Sequence, residues 1–155
     1  EREQRKTMLL HQIDSLEKLV MTDYGELNRG LANQLLKTYK EFYNANGQDS
    51  ISGPYLFKAA SIATSLGRSN EAIDMLSTYY DTFKTGSRRD EALYLMGFIY
   101  ENHMHDNEKA RDFYQRTVEI FPNSPWAEQA KGAMEMLNMS DEELIKYLEE
   151  KNNKN

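Results

Sequence analysis

The chain has 155 residues, a length that suits one domain with its own core, and its 39% hydrophobic and 28% charged residues make a soluble globular balance. A net charge of −6, with no basic stripe anywhere, argues against nucleic acid as a partner. The absence of cysteine excludes disulfides and thiolate metal sites, and no apolar run is long enough to span a bilayer. Three prolines, eight glycines and little β-branched content disfavour a sheet, so the chain is expected to be all-α. The opening Glu-Arg-Glu-Gln-Arg-Lys does not read as a signal peptide.

A first helix is expected over about residues 3 to 21, because Leu9, Ile13, Leu16 and Val20 recur at steps of 4, 3 and 4. This seam has two readings, a helix packed on the element that follows or the end of a coiled coil that joins two copies of the chain. Residues 22 to 28 read as a loop, and a second helix runs from about Asn28 to Ala45, ended by Asn46-Gly47. Pro54 suits the first turn of a third helix, since the N–H it lacks would be unpaired there anyway. Gly67 closes that helix, and Ser69 is the expected cap of its partner, which runs to about Lys84. Ser87-x-x-Asp90 is a weak capping signal, Ser124-Pro125 a better one, and Ser140-x-x-Glu143 a full capping box ahead of the stripe Leu144, Ile145 and Leu148. The tail 153–155, and the run from Lys151 that leads to it, has nothing to bury and should fray.

A period runs through these elements. Leu35, Ala72 and Ala110 each stand four residues before Tyr39, Leu76 and Tyr114, and Ala60, Gly97 and Glu135 recur in the same register, at steps of 37 and 38. Fixed spacing in this range marks a repeat array, whose stacked units build long surfaces for other macromolecules. The middle unit reads Leu93-x-x-Met96-Gly97-x-x-Tyr100, then Ala110-x-x-x-Tyr114, then Pro122, which resembles the tetratricopeptide repeat. Small residues at 60, 72, 97 and 110 suit two helices that approach closely. The resemblance implies a superhelix of antiparallel hairpins with seven to eight helices. Residues 1–22 would form the heptad helix and 23–152 the repeat domain, with complete repeats at about 53–88 and 89–125. The second repeat is one residue longer between its helices, an insertion that belongs in a turn.

Chemistry is sparse. No Gly-rich phosphate loop, nucleophile elbow or metalloprotease motif occurs, so neither a catalytic residue nor a cofactor is expected. His103 and His105, with Glu101 and Asp106 nearby, could hold zinc in principle, but their expected place is a solvated turn and no metal site is assigned. The acidic runs at 141–143 and 149–150 read as solvated helix faces.

In tetratricopeptide hairpins the first helix lines the concave face. By that resemblance the partner-contacting positions are Phe57, Ser61 and Thr64, then Tyr94, Phe98 and Glu101, with Gly132 and Met136 in the next helix. Phe57, Tyr94 and Phe98 are expected to form an aromatic anchor strip. The Lys, Asn and Arg set of chaperone-tail receptors is absent from these positions. Residues 5–18, Tyr55-Leu-Phe-Lys-Ala-Ala60, Gly97-Phe-Ile-Tyr-Glu-Asn102 and Ser140-Asp-Glu-Glu-Leu-Ile-Lys146 look similar to small tetratricopeptide lipoproteins of Bacteroidetes-type envelopes. Those are relatives of outer-membrane-assembly and Tol-associated proteins. That resemblance implies a non-enzymatic scaffold for a protein partner, held at the periplasmic side of the outer membrane by an upstream lipidated cysteine, with a cytoplasmic setting as the alternative. It also implies that Asp49-Ser50-Ile51 is an O-glycosylation site. The competing function is an oligomerising module, with Leu9, Ile13, Leu16 and Val20 as a homodimer seam and the groove filled by the chain itself.

Overall fold

The structure, a computed structural model, describes residues 1–154; Asn155, the end of the tail expected to fray, lies outside them. Eight α-helices occur among the described residues and no extended strand, only one isolated bridge between Met21 and Leu27. They are α1 (Arg2–Leu19), α2 (Arg29–Asn46), α3 (Ser52–Ser65), α4 (Ser69–Thr82), α5 (Arg89–Asn102), α6 (Asn107–Ile120), α7 (Pro125–Leu137) and α8 (Asp141–Asn152). The chain forms two compact units, Glu1–Ala92 and Leu93–Asn155, with the boundary inside α5.

In the first unit the heptad seam is consumed internally. Leu9 and Ile13 are fully buried and Val20 nearly so, Leu16 is half-buried, and α1 packs along α2. Polar contacts fix the docking: Tyr39 donates to Glu17 Oε1 at 2.6 Å, Lys58 Nζ reaches the same oxygen at 3.0 Å, and Lys6 pairs with Asp49. Glu17 of α1 therefore joins α2 to α3. A dimer through Leu9, Ile13, Leu16 and Val20 would first have to lift α1 off its own core, so the intermolecular reading of this seam is set aside.

Several helix ends follow local chemistry. Asn28 caps α2 by accepting from the Leu31 amide at 3.0 Å, and Ser124 caps α7 by accepting from Trp126 at 3.0 Å. Ser140 and Glu143 close the capping box of α8 reciprocally, each contact at 3.2 Å. Ser69 does not cap α4: Arg68 occupies that place without a side-chain bond, and Ser69 is already helical. Gly47 does not use glycine's left-handed freedom either, for its φ is −57°. A Cβ there would stand 3.1 Å from the Tyr43 carbonyl oxygen, one turn back in the same helix. The helix α8 continues through Asn152, so Lys151 and Asn152 are ordered into it rather than frayed.

The turn inside each complete hairpin shows where the extra residue goes. After α3, Gly67 sits at φ +76°, and the Gly67 and Arg68 amides return to the Thr64 and Ala63 carbonyls at 3.0 and 2.8 Å. This paired arrangement satisfies the carbonyls that a helix end leaves open. After α5 the turn is one residue longer, yet the Asp106 amide returns to Tyr100 at 2.8 Å, and residues 106 and 100 are the repeat equivalents of 68 and 63. His105 takes the place of Gly67, with φ +52°. A non-glycine residue in this region costs on the order of 1 kcal/mol.

The second unit is built on a close helix approach. Ala110, Tyr114, Ala130 and Ala133 form its buried centre, with Tyr94, Tyr100, Val118, Met134 and Leu137 packed around them. A Cβ at Gly97 would stand 2.7 Å from Tyr114 Cε1 and 3.3 Å from the Ala110 carbonyl oxygen, so glycine is what lets α5 lie on α6. Gly132, inside α7, faces open space within 4 Å. The two glycines should respond oppositely. Gly97→Ala is expected to cost about 1–3 kcal/mol by overpacking, whereas Gly132→Ala should gain roughly 0.5–1 kcal/mol through helix propensity. Thermal or urea unfolding of the two variants checks the contrast. His105→Gly should also raise the melting temperature, since relief of about 1–2 kcal/mol of left-handed strain outweighs the larger entropy of an unfolded glycine.

Candidate functional site

The residues expected to line a partner-binding face divide between the two units. In the first unit Phe57 is 6% exposed, not an open ring. Tyr79 packs edge-on at 4.7 Å between centroids, and the Arg88 guanidinium lies over the ring at 3.7 Å from its centroid. Arg88 is held there by two bonds to Glu91, at 2.7 and 3.0 Å. Phe57 is thus a core ring of its own hairpin and leaves the anchor strip, with Tyr79 of α4 and Arg88 covering it. Ser61 is exposed, and the Thr64 hydroxyl, half-buried, returns to the Ala60 carbonyl at 2.8 Å.

The second unit keeps an aromatic cluster. Tyr94 is half-buried, with its ring 5.2 Å from Trp126, 5.7 Å from Tyr114 and 6.4 Å from Phe98. Phe98 is 40% exposed. His103, in the turn after α5, places its ring 6.3 Å from Phe98. Met136 and Gly132 are half-buried on α7. Trp126 is the member that pattern reading missed. It stands outside the repeat register used to choose the other positions, and its one distinguishing mark in the sequence is that it is the sole tryptophan.

Glu101 does not set the polarity of an open groove. Its carboxylate accepts from the Tyr114 hydroxyl at 2.7 Å, across the hairpin. Burial, and then that bond, pushes the Tyr114 phenol well above its ordinary range; Tyr94 moves the same way through burial and the Glu101 charge. Burial and the bond to Glu17 do the same to Tyr39. His103 and His105 lie in the exposed turn, and among the described residues no three His, Asp or Glu side chains converge as a metal site. No described helix is long and apolar enough to cross a membrane.

The arrangement offers tilted, mutually packed rings and one exposed apolar ring, Phe98. Comparison with known families agrees in kind. The tetratricopeptide repeat profile matches residues 91–124, the segment that holds α5 and α6. No curated protein matches the chain at a significant level. The match and the all-helical structure support a tetratricopeptide-repeat protein, a class that works through protein–protein interaction and is generally non-enzymatic.

Tyr39 and Tyr114 make stability depend on alkaline pH. Both are held neutral in the folded state above the pKa of about 10 of an unfolded tyrosine. Above that pH the unfolded chain binds fewer protons than the folded one, so stability is present below it and falls as pH rises through the folded values. Unfolding midpoints should therefore decline above about pH 10, and less steeply in Tyr114→Phe. At pH 7 that variant should lose about 1–2 kcal/mol with its bond to a charged acceptor.

Proposed function

We propose that this chain is a protein-interaction scaffold that takes a segment of a protein partner on the outward face of α5, with Phe98 as the anchor ring. Tyr94 and Trp126 form the wall behind that ring, and Met136 on α7 belongs to the same set of expected contacts. The observation that carries the reading is the contrast between two rings at outward positions of the repeat: Phe57 is covered by Tyr79 and Arg88, whereas Phe98 stays 40% exposed beside a packed aromatic cluster. Exposed apolar rings at the edge of a rigid aromatic patch are the features that dominate interface energetics. The tetratricopeptide match over α5 and α6 supports the same class of function.

The cellular setting is part of this proposal. Resemblance to envelope lipoproteins favours the periplasmic side of the outer membrane, through a lipid anchor upstream. Recovery of the native protein in the cytosolic fraction would replace that setting with the cytoplasmic one.

Phe98→Ala is the clean probe, because Tyr94 also packs against Tyr114 and its truncation would lower stability as well as binding. With Phe98→Ala and the parent used as baits in native extract, the variant should retain about one-tenth of the partner or less, at an unchanged melting temperature. Equal capture by both baits would sink the proposal.

A further inference from the structure

Four rings of the second unit form a continuous row. Trp126 lies 5.2 Å from Tyr94, Tyr94 6.4 Å from Phe98, and Phe98 6.3 Å from His103, with neighbouring planes tilted by 35°, 40° and 57°. Trp126 and Tyr94 are half-buried, Phe98 is 40% exposed and His103 is exposed, so every ring of the row keeps some contact with solvent. Trp126 stands on α7, Tyr94 and Phe98 on α5, and His103 in the turn after α5. A helix spends its backbone bonds on itself, so an extended strand finds no edge to pair with here and recognition falls to side chains.

Two of these rings carry an unused donor. The Tyr94 hydroxyl and the Trp126 indole N–H make no hydrogen bond among the described residues, and neither atom is fully buried. The hydroxyls of Tyr39 and Tyr114, by contrast, are both bonded to carboxylates. The row therefore presents apolar ring faces edged by two free donors. A polyproline II segment is the complement of such a surface. Its pyrrolidine rings are apolar, its carbonyls have no internal partner, and its prolines bring no amide that would need an acceptor. A shallow row of rings also buries little area, which favours a partner that is already ordered and loses little freedom on docking.

We infer that this row binds a proline-rich segment of the protein partner in the polyproline II conformation. Its prolines lie on the rings of Phe98, Tyr94 and Trp126, and its carbonyls accept from Tyr94 Oη and Trp126 Nε1. The inference rests on the binding role proposed for the outward face of α5 and names the chemistry of the segment held there.

The probes are capped octaproline, a capped Gly-Ser octapeptide, and a capped alanine-rich helical peptide with leucine at every third and fourth place. Each is titrated into the full chain while the indole N–H signal is followed by NMR, a single signal because the chain has one tryptophan. Octaproline should shift that signal saturably and the Gly-Ser peptide should not. Tyr94→Phe keeps the ring and breaks no bond of the fold, so the melting temperature should hold while octaproline binds about threefold more weakly. A ring that served packing alone would give no such loss. Phe98→Ala should weaken octaproline about tenfold. No saturable shift at millimolar octaproline, equal binding of the Gly-Ser peptide, indifference to both substitutions, or tighter binding of the helical peptide overturns the inference. The peptides test only the chemistry of the segment. Whether Phe98 holds a partner at all is read separately, from native capture by the Phe98→Ala bait, so failure of one reading is not mistaken for failure of the other.

Discussion

The ring of Tyr114 lies where a side chain at position 97 would be. Because Gly97 offers none, α5 and α6 close on each other, and the ring is fully buried between them. Its hydroxyl bonds Glu101, and its ring packs tilted against Tyr94, which in turn meets Trp126 and Phe98. The exposed aromatic patch of the second unit is thus the outer end of a packing chain that begins at one missing methyl group. A bulkier residue would push α6 away and undo the polar bond and the ring contacts together.

The first unit solves the same problem with different chemistry at period-related positions. Tyr39 is the repeat equivalent of Tyr114, and it too sends its hydroxyl to a carboxylate on the preceding helix, Glu17 of α1. Between them Leu76 occupies the third such position, and Thr64, which stands where Glu101 stands a repeat later, returns its hydroxyl to its own helix. A polar link therefore appears where the second helix carries tyrosine and lapses where it carries leucine. Glu17 does more than its counterpart, since Lys58 of α3 shares its oxygen and carries the link onward to a third helix. This shared carboxylate is a physical reason for α1 to act as part of the repeat domain.

Burial of Phe57 and exposure of Phe98 show that outward positions one turn apart in the repeat register (Phe57 matches Tyr94, and Phe98 matches Ser61) can be withdrawn from the surface in one repeat and left open in the next. Both rings occupy outward positions of a first helix. Phe57 is covered by Tyr79 and by Arg88, which is anchored by Glu91 with its guanidinium 3.7 Å from the ring centroid. A held guanidinium shields a ring from water and contributes a favourable contact of its own. No such cation covers Phe98 among the described contacts, and its ring contacts are with Tyr94 and His103.

Much of the fold was legible in the sequence because the signals involved are local. Ser124 and Ser140 bond amides two or three residues away, Gly67 needs only its own φ, and the period of 37 to 38 places every hairpin. The one-residue insertion went into the turn, as the spacing required, with His105 accepting the conformation that Gly67 adopts freely. The face of each side chain was legible too, but not its cover. Phe57 is hidden by Arg88, thirty-one positions on, and Glu101 is engaged by Tyr114, thirteen positions on. Trp126 of α7 meets Tyr94 of α5, thirty-two positions back and with α6 between them in the chain, and a recess lined by Tyr39, Tyr55 and Glu71 draws on three helices at once. Periodicity states which way a residue points; only the packed helices decide what it meets, because burial and pairing depend on groups brought together from distant parts of the chain.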